Sequence, residues 1–500
     1  MTRSSGVLMH ISSLPGAYGI GCFGDEVFSF AKALKAAGFT YWQILPFSWP
    51  GMGDSPYQSF SAYAGNIYFI SPDKLVEYGL LTEDDLAFAT YQGSSHKVDF
   101  AWLRENRAIL FKRAYERMTP EMEAEVEAFL NRNTWLDDAA LFLTIKEQNA
   151  HALWWKWEDT ALRFHEEAAL TCARAEYRKE YMYHCFLQYL FFRQWSEVKS
   201  AIHEVGISII GDIPIYVSDD SADVWAHSDL FQMTPEKTPS CVAGVPPDYF
   251  CEDGQLWGNP LYDWKAHAKD DYAWWMLRLK INFELYDRVR IDHFRGFSSF
   301  WSVDAKETTA RVGRWVIGPG MDLFDRIAKV FPDAPIIAED LGEADDELVC
   351  FLEKTGFPGM RVLQFGFSPN CDNTHIPHNY SKNCVAYTGT HDNNTMLGWL
   401  WEASDDQRAY ALEYSHFSEK DWGKGGPMSP VCREMIRLVW QSHADLAIAP
   451  IQDILGFGGD TRMNVPGTPS GNWSFRVTQS ALDSMDINGF NRLNRIYRRS

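Results

Sequence analysis

Eight short apolar segments, spread along the chain and most of them followed by helical sequence, restrict the fold more than any other feature. They are Val7 to Met9 (within Gly6 to Leu14), Tyr41 to Phe47, Ile207 to Val217, Arg288 to Gly296, Pro335 to Leu341, Met360 to Phe365, Cys384 to Asn393 and Leu446 to Leu455. Apolar runs this short read as strands covered on both faces, and eight of them alternating with helices is the pattern of a (β/α)8 barrel of the TIM type. The 500 residues, 46% of them hydrophobic, suffice for one large barrel with insertions. The chain therefore reads as a single catalytic (β/α)8 domain over 1–500. From about residue 80 to 205 it turns into long charged and aromatic helical stretches, which predicts a mainly helical insertion. Residues 242–264 are dense in Gly and Pro and predict an ordered irregular loop, displaying Asp248, Tyr249 and Trp257, that closes over an active site.

Charge and cysteine usage narrow the partners and the compartment. Lys plus Arg total 46 against 67 Asp plus Glu, a net charge of −21 that disfavours nucleic acid and anionic membranes as partners. Nine scattered Cys with no C-x-x-C pair read as reduced thiols, without structural zinc. Met1 to Ser5 run straight into the first apolar segment and no apolar run approaches membrane-spanning length, so a cytoplasmic location is expected. Aromatic residues make up 15% of the chain, with 20 Trp, and this leaves flat surfaces beyond core needs on which sugar rings can stack.

In a barrel of this kind the active site forms at the C-terminal ends of the strands. Three carboxylates fall there: Asp292, Glu339 and Asp392. An ionised and a protonated carboxyl facing each other are what acetal chemistry at a glycosidic bond requires. Arg290 precedes Asp292 by two residues, hence on the same side of the strand, where its charge favours the ionised form. Glu339, beside that anion in a dry site, is expected to keep its proton. The environments make Asp292 the nucleophile and Glu339 the general acid, later the base. Asp340 is expected to point to the other side of its strand. Asp392 and His391 remain to grip sugar hydroxyls, or else serve as a turn-capping Asp and a packed His, and His293 is a rim residue with or without a role. Tyr57 lies in a turn-rich, hydroxyl-rich exit loop after the second strand. A metal centre is the rival for such a cluster, yet H-E-x-x-H and a calcium loop are missing, and Arg290 and Arg295 flank Asp292. A phosphate cradle is missing too. No metal and no cofactor are expected.

The motifs Ser12-Ser-Leu-Pro-Gly16, Ser55-Pro-Tyr-Gln-Ser59, Gly244-Val-Pro-Pro-Asp-Tyr-Phe250, Gly254 to Trp264, Arg290-Ile-Asp-His-Phe-Arg-Gly296, Ala338-Glu-Asp-Leu-Gly342, Thr390-His-Asp-Asn393 and Arg462-Met-Asn-Val-Pro-Gly467, in this order, resemble those of the amylomaltases. These are disproportionating 4-α-glucanotransferases of the α-amylase clan. The resemblance implies a retaining double displacement on α-1,4-glucans, with maltodextrins and glucose as substrates. It implies Asp292 as nucleophile, Glu339 as acid/base and Asp392 as the third carboxylate, which binds sugar hydroxyls. Arg290, His293, His391 and Asn464 would contact the donor sugar, and Tyr57, Asp248 and Trp257 would line the glucan groove. The loop from Gly244 to Pro260 would exclude water while an acceptor waits, so that transfer outruns hydrolysis. The alternatives are an α-1,4-glucan hydrolase of the same clan, which would use the same carboxylates, and a non-catalytic glucan-binding protein, which would have lost at least one of them. The family's β-sandwich modules that precede some barrels have no counterpart here, and neither oligomeric state nor polymer preference is readable.

Overall fold

In the computed structural model, described over residues 3–247, 252–342, 346–368, 373–418, 420–468 and 470–500, the strands follow one another as β1 (Ser4–Leu8), β2 (Tyr41–Gln43), β3 (Ser208–Ile213), β4 (Cys241–Val245), β5 (Gln255–Pro260), β6 (Arg288–Ile291), β7 (Ser299–Asp304), β8 (Gly313–Ile317), β9 (Ile336–Ala338), β10 (Gly359–Val362), β11 (Cys384–Tyr387) and β12 (Leu446–Pro450). Eight of them form one parallel sheet in the order β10-β11-β12-β1-β2-β3-β6-β9. Its two ends meet: the Ala338 N–H at the end of β9 donates to the carbonyl of Pro358, just before β10, at 2.9 Å. The sheet is thereby a (β/α)8 barrel, and each of its strands overlaps one of the eight apolar segments, with β1 and β10 starting at Ser4 and Gly359, ahead of theirs. The paired stretches are shorter than those segments, because pairing stops where the chain leaves the barrel for the rim.

Strand residues alternate between barrel interior and helical shell, and the interior is polar toward the C-terminal ends. Asp212 on β3 is the register partner of Arg290 on β6, and the Tyr387 hydroxyl on β11 donates to Gln43 Oε1 on β2 at 2.9 Å. All four are buried. Buried polar groups of this kind persist only when paired, so this layer fixes the strand ends relative to one another.

The remaining strands make a second, antiparallel sheet in the order β5-β4-β7-β8. Residues 242–264, expected to be irregular, instead contribute most of β4 and all of β5; within them Asp248 lies outside the described residues. Glycine here permits close approach rather than disorder: a Cβ on Gly244 would stand 2.6 Å from the carbonyl oxygen of Gln255. The ladder shifts register between Val242 and Gly244, which is why alternation was not readable.

Between β2 and β3 the chain is helical. The long helices there are Phe100–Glu116, Pro120–Arg132, Trp135–Gln148 and Arg178–Val205. Their ends carry the expected chemistry: Asp99 and Thr119 accept from backbone N–H groups at two N-termini, and Gly206 closes the last helix with φ +84°. The Lys146 ammonium on Trp135–Gln148 donates to Asp220, in the loop leaving β3, at 2.5 Å and to the carbonyl of Ala152 at 3.0 Å. Around it Phe142, Trp157 and Trp225 pack with ring centroids 5.7–5.8 Å apart. The helices are thus bolted to the strand exit that displays Asp212.

Candidate active site

The C-terminal ends of β3, β6 and β9 converge on the guanidinium of Arg290. Its Nη1 donates to both oxygens of Asp212, at 2.9 and 2.7 Å, and its Nη2 to Asp292 Oδ1 at 2.8 Å. The same Nη2 lies 4.0 Å from Glu339 Oε2. Burial alone would lower the Arg290 pKa, but Asp212 and then Asp292 more than reverse this and hold it well above its ordinary value. The Tyr57 hydroxyl donates to Asp212 Oδ2 at 2.8 Å, which ties the loop after β2 to this core.

Glu339 is fixed by backbone. The N–H of His293 donates to its Oε2 and that of Leu341 to its Oε1, both at 2.7 Å. His293 reaches this position with φ 49° and ψ 49°, a left-handed conformation that costs a non-glycine residue about 1 kcal/mol or more. The strain is spent on aiming one N–H at a carboxyl group. Burial, and then the charge of Asp292, push the Glu339 pKa up against the opposing pull of Arg290 and the two N–H donors. Asp340 accepts instead from the Met360 N–H at 2.6 Å and from Arg361 at 2.9 Å, on the other side of β9.

A second group comes from the loop after β11 and from residues 462–473. Asn464 Nδ2 donates to Asp392 Oδ1 at 2.6 Å, and His391 Nε2 stands 3.2 Å from Asp392 Oδ2. Arg462 bonds the carbonyls of both Asp392 and Asn464, and so staples the two loops together. The His391 ring stacks on Tyr57, centroids 5.3 Å apart at 17°, with Trp473 5.6 Å from Tyr57 and 5.9 Å from His391. Tyr57 therefore bridges the groups around Arg290 and Asp392. Trp257 of β5 meets His293 edge to face at 4.7 Å. Burial lowers the pKa of His391, and it pushes His293 down to about 4, so both rings are neutral.

Of the residues singled out from sequence, Tyr57, Trp257, Arg290, Asp292, His293, Glu339, His391, Asp392 and Asn464 lie together in this cleft. Asp248 lies outside the described residues. Sequence reasoning passed over Asp212, Arg462 and Trp473. Asp212 did leave a signal, a charge inside the apolar run ISIIGDIPIYV, and Arg462 opens a motif quoted above. Among the described residues no cluster of His, Cys, Asp and Glu could hold a metal ion, and no helix is long and apolar enough to cross a membrane.

The family model described as 4-alpha-glucanotransferase matches residues 9–481. A 4-alpha-glucanotransferase of Streptococcus pneumoniae is 44% identical over 500 residues, covering 99% of this chain and 97% of that protein. One from Clostridium butyricum is 43% identical over 498 residues, 98% of this chain and 100% of the relative. Among solved structures, an amylomaltase from Streptococcus agalactiae in complex with acarbose superposes with a TM-score of 0.95 at 39% identity, covering both chains completely.

Proposed function

The chain belongs to the 4-alpha-glucanotransferase family, and from that premise we propose that the cleft around Arg290 passes α-1,4-glucan segments from a donor maltodextrin to the 4-hydroxyl of an acceptor glucan or glucose. The observation that carries the reading is the sharing of one guanidinium nitrogen. Arg290 Nη2 bonds Asp292 and lies 4.0 Å from Glu339, so the two carboxyl groups are close neighbours in opposite environments. Such closeness suits a retaining pair, about 5–5.5 Å apart, better than an inverting pair, which must hold a water between its members.

In this reading the Asp292 carboxylate, aimed by its 2.8 Å bond from Arg290, attacks the anomeric carbon. Glu339, protonated because it is buried beside that anion, gives its proton to the departing glycosidic oxygen. A β-linked glycosyl ester on Asp292 results, and the acceptor 4-hydroxyl then attacks it while Glu339, now ionised, takes the acceptor's proton. Asp392, oriented by Asn464 and His391, grips the hydroxyls of the donor ring, and Tyr57 offers it a stacking face. Arg290, His293, His391 and Asn464 complete the donor side, and Trp257 lines the glucan groove around the cleavage point, a role the resemblance of the sequence extends to Asp248. The segment 242–264 is the closing element, and the helices between residues 80 and 205 are an insertion subdomain of one catalytic domain. An acceptor sugar already seated beside the ester reacts at high effective molarity, which favours transfer over water. A cytoplasmic place agrees with the reduced thiols expected of the sequence.

Incubation with maltotriose tests the activity. Transfer yields glucose and a ladder of longer maltodextrins at constant total reducing ends; reducing ends that rise with only glucose and maltose formed would make the protein a hydrolase.

A further inference from the structure

The groups behind His391 are not used by this chemistry. His10 follows β1 and is buried, its ring set edge-on against Phe69 at 5.3 Å and beside Phe47. The Leu45 N–H donates to His10 Nδ1 at 3.2 Å. A ring nitrogen that accepts carries no hydrogen, so in this neutral ring the hydrogen sits on Nε2. Burial holds the ring neutral, its pKa pushed down to about 3. Ser13, in the turn after β1, has a buried hydroxyl oxygen with no partner among the described residues. His10, Ser13, Thr390, His391, Gln452 and Arg462 line one crevice, which leaves about 20 Å3 for the centre of a water molecule. That is room for one ordered water, which needs two to four polar partners to be held.

We propose that His10 is a positioning residue that sets the tautomer of His391 through one buried water. His10 Nε2–H donates to the water oxygen, and the water donates one hydrogen to His391 Nδ1 and the other to Ser13 Oγ. An accepting Nδ1 keeps the His391 hydrogen on Nε2, the nitrogen 3.2 Å from Oδ2 of Asp392, the carboxylate that in the reading above grips the donor sugar. The inference rests on that reading for its kinetic consequence but not for its structural one. The tautomer is fixed from the strand-β1 side of the barrel, where His10 and Ser13 line the crevice.

The test combines steady-state transfer from maltotriose with 15N spectra of histidine-labelled protein, the His391 resonances being assigned by their loss in His391→Asn. The wild type is expected to show hydrogen on His391 Nε2. In His10→Phe the His391 nitrogens shift toward a mixture of tautomers and kcat falls about 10–100-fold with KM within about twofold. His10→Gln, which keeps an N–H donor at the tip, restores most of the rate. Ser13→Ala, a smaller change to the fold, gives the same displacement of the His391 signals with a loss of about tenfold or less. Hydrogen found on Nδ1 of His391 in the wild type, or His391 signals unmoved in both variants, would overturn the proposal. Signals that move while kcat stays unchanged would support the positioning and overturn the assignment of His391 as a sugar contact.

Discussion

At the scale of single residues, the site works by making similar groups unlike. Asp292 and Glu339 are both carboxyl groups near Arg290, but one takes a direct bond from the guanidinium and is partly open to solvent, while the other is buried and meets it only at 4.0 Å. Because burial raises the Glu339 pKa, kcat/KM is expected to hold through neutrality and fall as pH rises through that elevated value, where the general acid is lost. The same shift has a stability consequence of fixed sign. A carboxyl whose folded pKa exceeds its unfolded one favours folding most at low pH, and that share declines as pH rises from the ordinary carboxyl range through the elevated value. Glu339→Gln, which cannot titrate, should flatten this part of the stability profile in urea melts at pH 4 to 9; an unchanged slope would count against a buried, proton-retaining Glu339. Arg462 offers a second test. It bonds the carbonyls of Asp392 and Asn464, so Arg462→Ala should lower kcat about 10–100-fold by loosening those loops while the melting temperature moves little. An unaltered kcat would show that the two loops hold their geometry without it.

At the scale of elements, the barrel strands were legible because strands covered on both faces must be apolar throughout, and runs such as Ile207 to Val217 or Leu446 to Leu455 have few other places to go. The strand ends were legible for the opposite reason, since a charge such as Asp292 closing an apolar run has to be a rim residue. The β5-β4-β7-β8 sheet was not readable. Its strands are partly exposed, its hairpin is rich in glycine and proline, and its register shift breaks the period of two. Asp212 was missed because its role depends on β3 lying beside β6, a pairing 78 residues apart in sequence. The same long-range logic governs the helices between β2 and β3. Lys146 and Asp220 form a pair with side chains 6% and 14% exposed. Breaking it with Lys146→Met should cost about 3 kcal/mol, and the double change Lys146→Met/Asp220→Asn should recover most of that by removing the stranded charge as well. Urea midpoints that do not separate the single from the double variant would mean that the pair is solvated.

At the scale of the whole molecule, a barrel closed between β9 and β10 carries a polar layer at one end, and the surrounding insertions act on that layer from outside. The helices hold the β3 exit through Asp220, the small sheet brings Trp257 to His293, and the loop 462–473 braces Asp392. The central claim is that glycosyl transfer runs through an ester on Asp292. It is tested most directly with Glu339→Gln and α-maltosyl fluoride, whose fluoride departs without help from an acid while the second step still lacks its base. The account predicts that a maltosyl-enzyme accumulates and that mass spectrometry of the digest finds the added sugar on Asp292. A label on another residue, or release of fluoride with a product of inverted configuration and no labelled enzyme, would contradict it.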